Sequence, residues 1–531
     1  MGRFREALES RQEFITTCEL IPGRGYKGRN VDQALQFASE VKDSPDIHAL
    51  SLTDNAGGNP ALSADVVGIE ILNMGVDLIV HFSCKDMNRN AIESRAYLLA
   101  RSGIENLLVL TGDYPIMGYM GLPKPSFDMG AVNALYFLNN LNRGLEIEAG
   151  KRQVTLESTN FYLGAVVSPF KWTEASSVMQ YIKLEKKIRA GAHFFITQLG
   201  FDALKHIELL KYVREYLGLD VPILGSVYVL SSGAARFMNK GEVPGCYVND
   251  RLLEKIKEES KTPDKGKEAR LKRSARLVAV LKGLGYNGVH IEGLNLSAED
   301  VRFILEKAGE IGENWRDHLG EFNYSSDDKP FYYFKGGDSL EFLNKKKEDL
   351  EPNITPRKSI FSLTFWLTRI LHKLIFIEGT PGCALMRGIS SLAKKYHFFY
   401  RIFRRAEHLT KRVLFDCREC DDCALFESYY LCPESQCPKG MRVGPCGGSR
   451  VKGHCEVFPE RMCIWERVYW RAKNRRECHK LNYIIPPRDW NLYETSSWMN
   501  YFLKYDHSAK KLEFFNHVYK VPEDMHIRCK R

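Results

Sequence analysis

Along the first 310 residues, short β-branched or aromatic runs alternate with longer segments whose apolar residues recur at helical spacing. Short apolar runs between turn residues fit buried strands, and a 3.6-residue period fits helices laid against them. The pattern predicts eight strands, at Phe14–Leu20, His48–Thr53, Asp77–Ser83, Asn106–Thr111, Phe161–Val167, His193–Gln198, Val221–Val227 and Asn287–Ile291. Between them it predicts helices such as Val31–Val41, Ser63–Asn73, Asn90–Arg101, Trp172–Ala190, Ala203–Tyr216 and Lys267–Leu284. Such alternation belongs to the α/β class, with a parallel sheet. Eight repeats, with no Gly-x-Gly-x-x-Gly after the first strand, favour a (β/α)8 TIM barrel over an open doubly wound sheet.

The rhythm stops near residue 312, which divides the chain into a barrel domain, 1–312, and a mostly helical, cysteine-rich domain, 313–531. The most apolar stretch, Phe361–Ile377, contains Arg369, His372 and Lys373 and is too short and charged to span a bilayer. A core-facing helix is expected there. Contact with a membrane surface is the alternative, helped by the basic run Arg401–Arg412.

Nine of the fourteen cysteines lie between Cys417 and Cys478. Cys417, Cys420, Cys423, Cys432, Cys437, Cys446, Cys455 and Cys463 are eight thiolate ligands, enough for two four-ligand centres within 417–463, with His454 and Cys478 as further candidates. The opening Cys-x-x-Cys-x-x-Cys suits iron–sulfur clusters of the [4Fe-4S] type, and zinc is the alternative. The charged N-terminus lacks the apolar run of a signal peptide. A cytoplasmic location is therefore expected, where thiols bind metal more readily than they pair as disulfides.

Charge is distributed unevenly. Residues 1–320 hold 39 Lys/Arg against 40 Asp/Glu and residues 321–531 hold 37 against 26, so the whole excess of +10 is C-terminal. That balance suits an acidic protein or anionic ligand. No nucleic-acid motif accompanies it, and no nucleic-acid partner is expected.

In a (β/α)8 barrel the chemistry gathers where strands end. Those ends carry Glu19, Thr53, His81, Thr111-Gly112-Asp113, Gln198, Tyr228 and His290-Ile291-Glu292. The series Thr17-Cys18-Glu19-Leu20-Ile21-Pro22, His81-Phe82-Ser83-Cys84, Leu110-Thr111-Gly112-Asp113-Tyr114-Pro115, Thr197-Gln198 and His290-Ile291-Glu292-Gly293-Leu294-Asn295 resembles methylenetetrahydrofolate reductase. Cys432-Pro433, Cys437-Pro438-Lys439-Gly440 and Gly444-Pro445-Cys446-Gly447-Gly448 are similar to a cysteine-rich domain that accompanies this reductase in some bacteria.

The resemblance implies noncovalent FAD, with FMN as the alternative, and reduction of 5,10-methylenetetrahydrofolate to 5-methyltetrahydrofolate by hydride transfer. It implies Glu19 as general acid and Asp113 as the acid beside the flavin, with Gln198 and Tyr228 on the folate. Thr53, His81, Thr111, Gly112, Lys186 and Lys187 would contact the flavin. The electron donor would be NAD(P)H or an acidic, ferredoxin-like carrier feeding through C-terminal clusters, and the family allows a homo-oligomer. The other function considered is a non-catalytic docking protein of one-carbon metabolism with a structural zinc domain. Three positions depart from the family pattern: Cys-Glu-Leu-Ile-Pro surrounds the acid, Thr111 stands where Arg is common, and Val166–Pro169 replaces a region that often holds histidine.

Overall fold

The computed structural model describes residues 2–326, 329–356 and 363–510. Eight parallel strands close a barrel: β1 Ile15–Leu20, β2 Ala49–Leu52, β3 Leu78–Ser83, β4 Asn106–Leu110, β5 Tyr162–Val167, β6 Phe194–Thr197, β7 Ile223–Tyr228 and β8 Gly288–Glu292. Each pairs with its sequence neighbours, and β8 closes on β1 with Thr17 opposite His290. All eight expected strands are present, with ends shifted by at most two residues.

Alternation along each strand explains both layers of the barrel. One set of positions, among them Leu50, Val80, Phe82, Val109 and Val289, is apolar and packs outward against the helices. The inward set changes character from bottom to top. At the N-terminal end Ile15, Ala49, Ile79, Leu108, Tyr162, Phe194 and Leu224 fill the interior, and the helix Arg3–Ser10 plugs it with Phe4, whose ring lies 5.2 Å from that of Phe194. Gly164 makes room there, since a Cβ would come within 2.3 Å of the Phe194 ring. One and two steps further up, the inward residues are Thr17, Ser51, His81, Ser226 and His290, then Glu19 and Glu292. An apolar floor therefore leads to a polar mouth.

The helix Glu174–Arg189 is buried on nearly every face, its charged Glu174, Lys183, Glu185, Lys186 and Lys187 included. A second helix, Ile464–Asn474, covers it. Tyr469 donates to Glu174 at 2.6 Å and Lys473 pairs with the same carboxylate. Glu466 accepts from Thr173 and Ser176, and Asn482 donates to Glu185 at 2.6 Å. An exposed hairpin, Glu146–Ala149 with Arg152–Thr155, lies outside the expected pattern.

The barrel elements end with the helix Ala298–Ile311, and a helical region with cysteine-bearing loops follows. Its helices are Leu363–Ile375, Pro381–Lys395, His397–Phe415, Ile464–Asn474 and the short Pro433–Gln436 and Ser497–Phe502. The expectation of a core-facing helix at Phe361–Ile377 is overturned. The helix runs Leu363–Ile375 with Phe365 its single buried residue, while Trp366, Leu367, Ile370, Leu371 and Leu374 are exposed. Phe365 reaches the core, and the rest of the apolar stripe does not. Phe361 and Ser362, and 511–531 of the expected second domain, lie outside the described residues.

Candidate active site at the barrel mouth

A cavity of about 250 Å³ opens at the C-terminal ends of the strands. Of the residues singled out in the sequence, Glu19, Thr53, His81, Thr111, Gly112, Asp113, Lys187 and Gln198 line it. Tyr228 and Lys186 are not among its lining. Tyr228 ends β7, close enough to Glu19 and Glu292 that their charges, after burial, raise its phenol. Lys186 is buried on the helix Glu174–Arg189, where burial and then Arg189 lower its ammonium to about 7.

Glu19 lines the cavity among buried polar side chains, its own side chain 15% exposed. His290 Nε2 is 4.0 Å from its carboxylate and 3.9 Å from that of Glu292, and the ring is oriented by a 2.8 Å hydrogen bond between its Nδ1 and Thr17 Oγ1. Ser51 Oγ lies 2.9 Å from His81 Nε2. Burial holds both imidazoles neutral, His81 at about 3 and His290 at about 4. Neither imidazole therefore offsets the two acids. Burial first, and the neighbouring Glu292 second, push the Glu19 carboxyl well above the usual range.

Asp113 is also raised by burial, but Lys439 opposes the shift and Gly57 N–H donates to its carboxylate at 3.0 Å. Gln198 turns its amide oxygen back to the Leu199 N–H at 3.0 Å, which leaves the amino group at the mouth. The Asp54 carboxylate, held by Arg95 at 2.5 Å, accepts from Ser83 N–H at 3.2 Å and fixes the end of β3.

One side of the mouth is closed by the cysteine-rich region. Lys439, Cys446, Gly447, Gly448 and Glu456 line the same cavity. Lys439 donates to Gly112 O at 2.9 Å and pairs with Glu456, whose carboxylate is 3.4 Å from Cys446 Sγ. Lys183 donates to Pro445 O at 2.6 Å and Lys171 to Ser449 O at 2.8 Å. An adjoining cavity of about 620 Å³, between Phe170, Trp172, Tyr247 and Arg450, shares Gly245, Gly448 and Glu456 with the first. In the sequence Lys439, Gly447 and Gly448 stand only as parts of cysteine motifs. Nothing local marks them as barrel residues.

The cysteines fall into two groups of electrostatic neighbours: Cys417, Cys420, Cys423 and Cys432, and then Cys437, Cys446, Cys455 and Cys463. Among the described residues, three or more ligand atoms come within 4.8 Å of one another at Glu19, His81 and His290 and at Glu407, His408 and Asp421. No three thiols come that close.

Two family models match the chain: "Methylenetetrahydrofolate reductase" over residues 3–309 and "Methylene-tetrahydrofolate reductase C terminal" over 398–491. The chain belongs to the methylenetetrahydrofolate reductase family. It is 21% identical over 271 residues to methylenetetrahydrofolate reductase 1 of Schizosaccharomyces pombe, covering 50% of this chain and 41% of that one. It is 23% identical over 324 residues to a probable methylenetetrahydrofolate reductase (NADPH) of Caenorhabditis elegans, covering 58% and 44%. The chain thus spans less than half the length of these curated reductases. A solved structure of a Clostridium thermocellum protein, described as binding two copies of 5-methyl-5,6,7,8-tetrahydrofolic acid, shares 13% identity over 58% of this chain and 98% of that one, with a TM-score of 0.40.

Proposed function

We propose that this member of the reductase family reduces 5,10-methylenetetrahydrofolate to 5-methyltetrahydrofolate with a flavin bound at the barrel mouth. The observation that carries the reading is the place of Glu19 at the cavity beside Glu292 and His290, where burial and then Glu292 raise its carboxyl well above the usual range. Opening the substrate's five-membered ring requires a proton on the leaving nitrogen, and Glu19 supplies it. Two neutral histidines keep the proton on the acid, because neither stabilises a carboxylate beside it.

The residues present fit an isoalloxazine ring, the part common to FAD and FMN. Leu108, Leu110, Val166 and Ile196 give an apolar face. Ser83 Oγ, Ser168 Oγ and Gln180 Nε2 are buried polar atoms of the lining without a protein partner, which suits a ring with a polar edge. Gly112 has φ +88°, and a Cβ there would lie 2.3 Å from Ser83 Oγ, so glycine lets the chain turn against Ser83 at the mouth. A bound reduced flavin would supply the hydride. Thr53, His81, Thr111 and Lys187 would hold it, Asp113 would set the charge beside it, and Gln198 would present its amide to the pterin.

The division of the thiols into two groups of four suits two four-ligand centres, read here as iron–sulfur clusters with zinc as the alternative. Because Cys446 lines the cavity, a centre on the second group would border the flavin site. Electrons from NAD(P)H or a ferredoxin-like carrier complete the reaction.

Anaerobic purification followed by flavin, iron and zinc analysis tests the cofactors, and Glu19→Gln tests the mechanism. The variant should keep its flavin and lose folate reduction by at least about a hundredfold. In the parent protein the rate should fall as pH rises through the raised Glu19 value, because the acid then loses its proton. Full turnover by Glu19→Gln would refute the assignment.

A further inference from the structure

Three consecutive helices turn their apolar faces outward. In His397–Phe415 the exposed stripe is Phe398, Ile402, Leu409 and Val413, at i, i+4, i+11 and i+15, which is one face of a helix. Phe398 is 71%, Leu409 67% and Val413 77% exposed. The inward face is the polar one: Lys411 donates to Glu407 at 3.1 Å and to Ser497 at 2.7 Å, and Glu407 is fully buried. Arg401, Arg405 and Arg412 repeat the i, i+4, i+11 spacing along one edge of the apolar stripe, and all three are exposed. Leu363–Ile375 shows Trp366, Leu367, Ile370 and Leu374 around one buried Phe365, and Pro381–Lys395 shows Leu385, Ile389 and Leu392. Of the 38 large apolar side chains exposed among the described residues, 17 fall between Leu363 and Leu414, so the exposure is concentrated in one block.

Charge follows the same block. Residues 363–415 contain ten Lys/Arg and two Asp/Glu, a balance of +8. Glu407 is buried, and Glu378 faces Lys504 and Arg387. The outward surface is therefore apolar and cationic together. None of the residues lining the two mouth cavities belongs to it.

We propose that this face docks on an anionic lipid bilayer, with the three helices lying in the headgroup layer. A helix serving only the protein core would show the opposite orientation, apolar inward and polar outward. A protein–protein interface is depleted in lysine, whereas Lys373, Lys394 and Lys395 are exposed on these helices beside the arginines. Trp, Phe and Leu on the face with Lys and Arg at its edges is the composition of helices that lie in a membrane interface. Among the described residues no helix is long and apolar enough to cross a membrane, so the contact is with the surface. The proposal is independent of the reaction assigned above and leaves the barrel mouth accessible.

Flotation of the full chain with vesicles tests it. Vesicles of phosphatidylcholine alone are compared with vesicles containing about one-third phosphatidylserine, at low and high salt. The protein should float with the anionic vesicles, about tenfold more weakly with the neutral ones, and be released by salt. Phe398→Glu/Leu409→Glu/Val413→Glu should abolish flotation, and Arg401→Glu/Arg405→Glu/Arg412→Glu should remove its dependence on anionic lipid. These residues are exposed, so far-UV circular dichroism and reductase activity should stay unchanged. Absence of flotation with anionic vesicles at low salt would overturn the proposal. So would flotation that neither variant alters, or self-association broken by the glutamate variants without vesicle binding, which would give the face to a second copy of the chain. Retention of an acidic redox protein by this face, again without vesicle binding, would overturn it in favour of a protein partner.

Discussion

Lys439→Met offers a quantitative test of how the cysteine-rich region is seated on the barrel. The Lys439 ammonium donates to Gly112 O at 2.9 Å, pairs with Glu456 and lies 5.5 Å from the centre of the Phe127 ring. Both ionic side chains are nearly inaccessible, at 3% and 6%. Methionine fills the volume of the lysine stem, so the packing loss is small. The cost comes from Glu456, left buried without its partner. Breaking such a pair by removing one member costs roughly 3–5 kcal/mol.

A second route gives the same magnitude. The stranded carboxyl escapes by taking a proton, and neutralising an ordinary glutamate at pH 7 costs roughly 3.7 kcal/mol at 1.36 kcal/mol per pH unit. The same step costs only about 1 kcal/mol at pH 5. Urea unfolding followed by tryptophan fluorescence should therefore show a loss of about 3–4 kcal/mol at pH 7 that shrinks to about 1 kcal/mol at pH 5. Lys439→Met/Glu456→Gln should regain most of the loss, since no charge is then stranded. A loss below about 1 kcal/mol at pH 7, or a double variant no more stable than the single one, would refute the reasoning.

Gly112→Ala should destabilise the protein by about 1–3 kcal/mol and weaken flavin retention on gel filtration, because φ is +88° and the new Cβ would meet Ser83 Oγ at 2.3 Å. His507, bonded to Asp422 at 2.6 Å and to Glu427 at 3.2 Å, has its imidazole raised from 6.5 to about 9 by those carboxylates against the effect of burial. Its stabilisation is complete below about pH 6.5 and is lost as pH rises through about 9. Urea midpoints across that window should reveal up to about 3 kcal/mol, which His507→Gln removes. Cys446→Ser and Cys420→Ser should each lower iron per chain by about half, read by metal analysis and visible absorbance, because they belong to different four-thiol groups. Equal and complete loss of iron in either variant would show one shared centre.

How much was legible in the sequence follows from distance along the chain. The eight strands could be read because burial on both faces demands continuous apolar runs, and each run lies within a few residues. Glu19, Thr53, His81, Asp113 and Gln198 could be placed together for the same reason: once the barrel is inferred, a strand's last residues must share one rim. The helix Leu363–Ile375 was equally visible as a helix, but its apolar period does not say whether the stripe meets the core or the solvent. Only the packing of Phe365 and its neighbours decided that.

The sequence by itself thus determined the barrel, its polar rim and the presence of eight clustered thiols, since all three are local patterns. Tertiary structure alone decided that Lys439 and Glu456 complete the rim, that the helix Glu174–Arg189 is sealed by Ile464–Asn474, and that the thiols divide into fours. The bond from Lys439 to Gly112 joins residues 327 positions apart. A contact of that range depends on how two surfaces fit, and the local spacing of residues around either partner carries no trace of it.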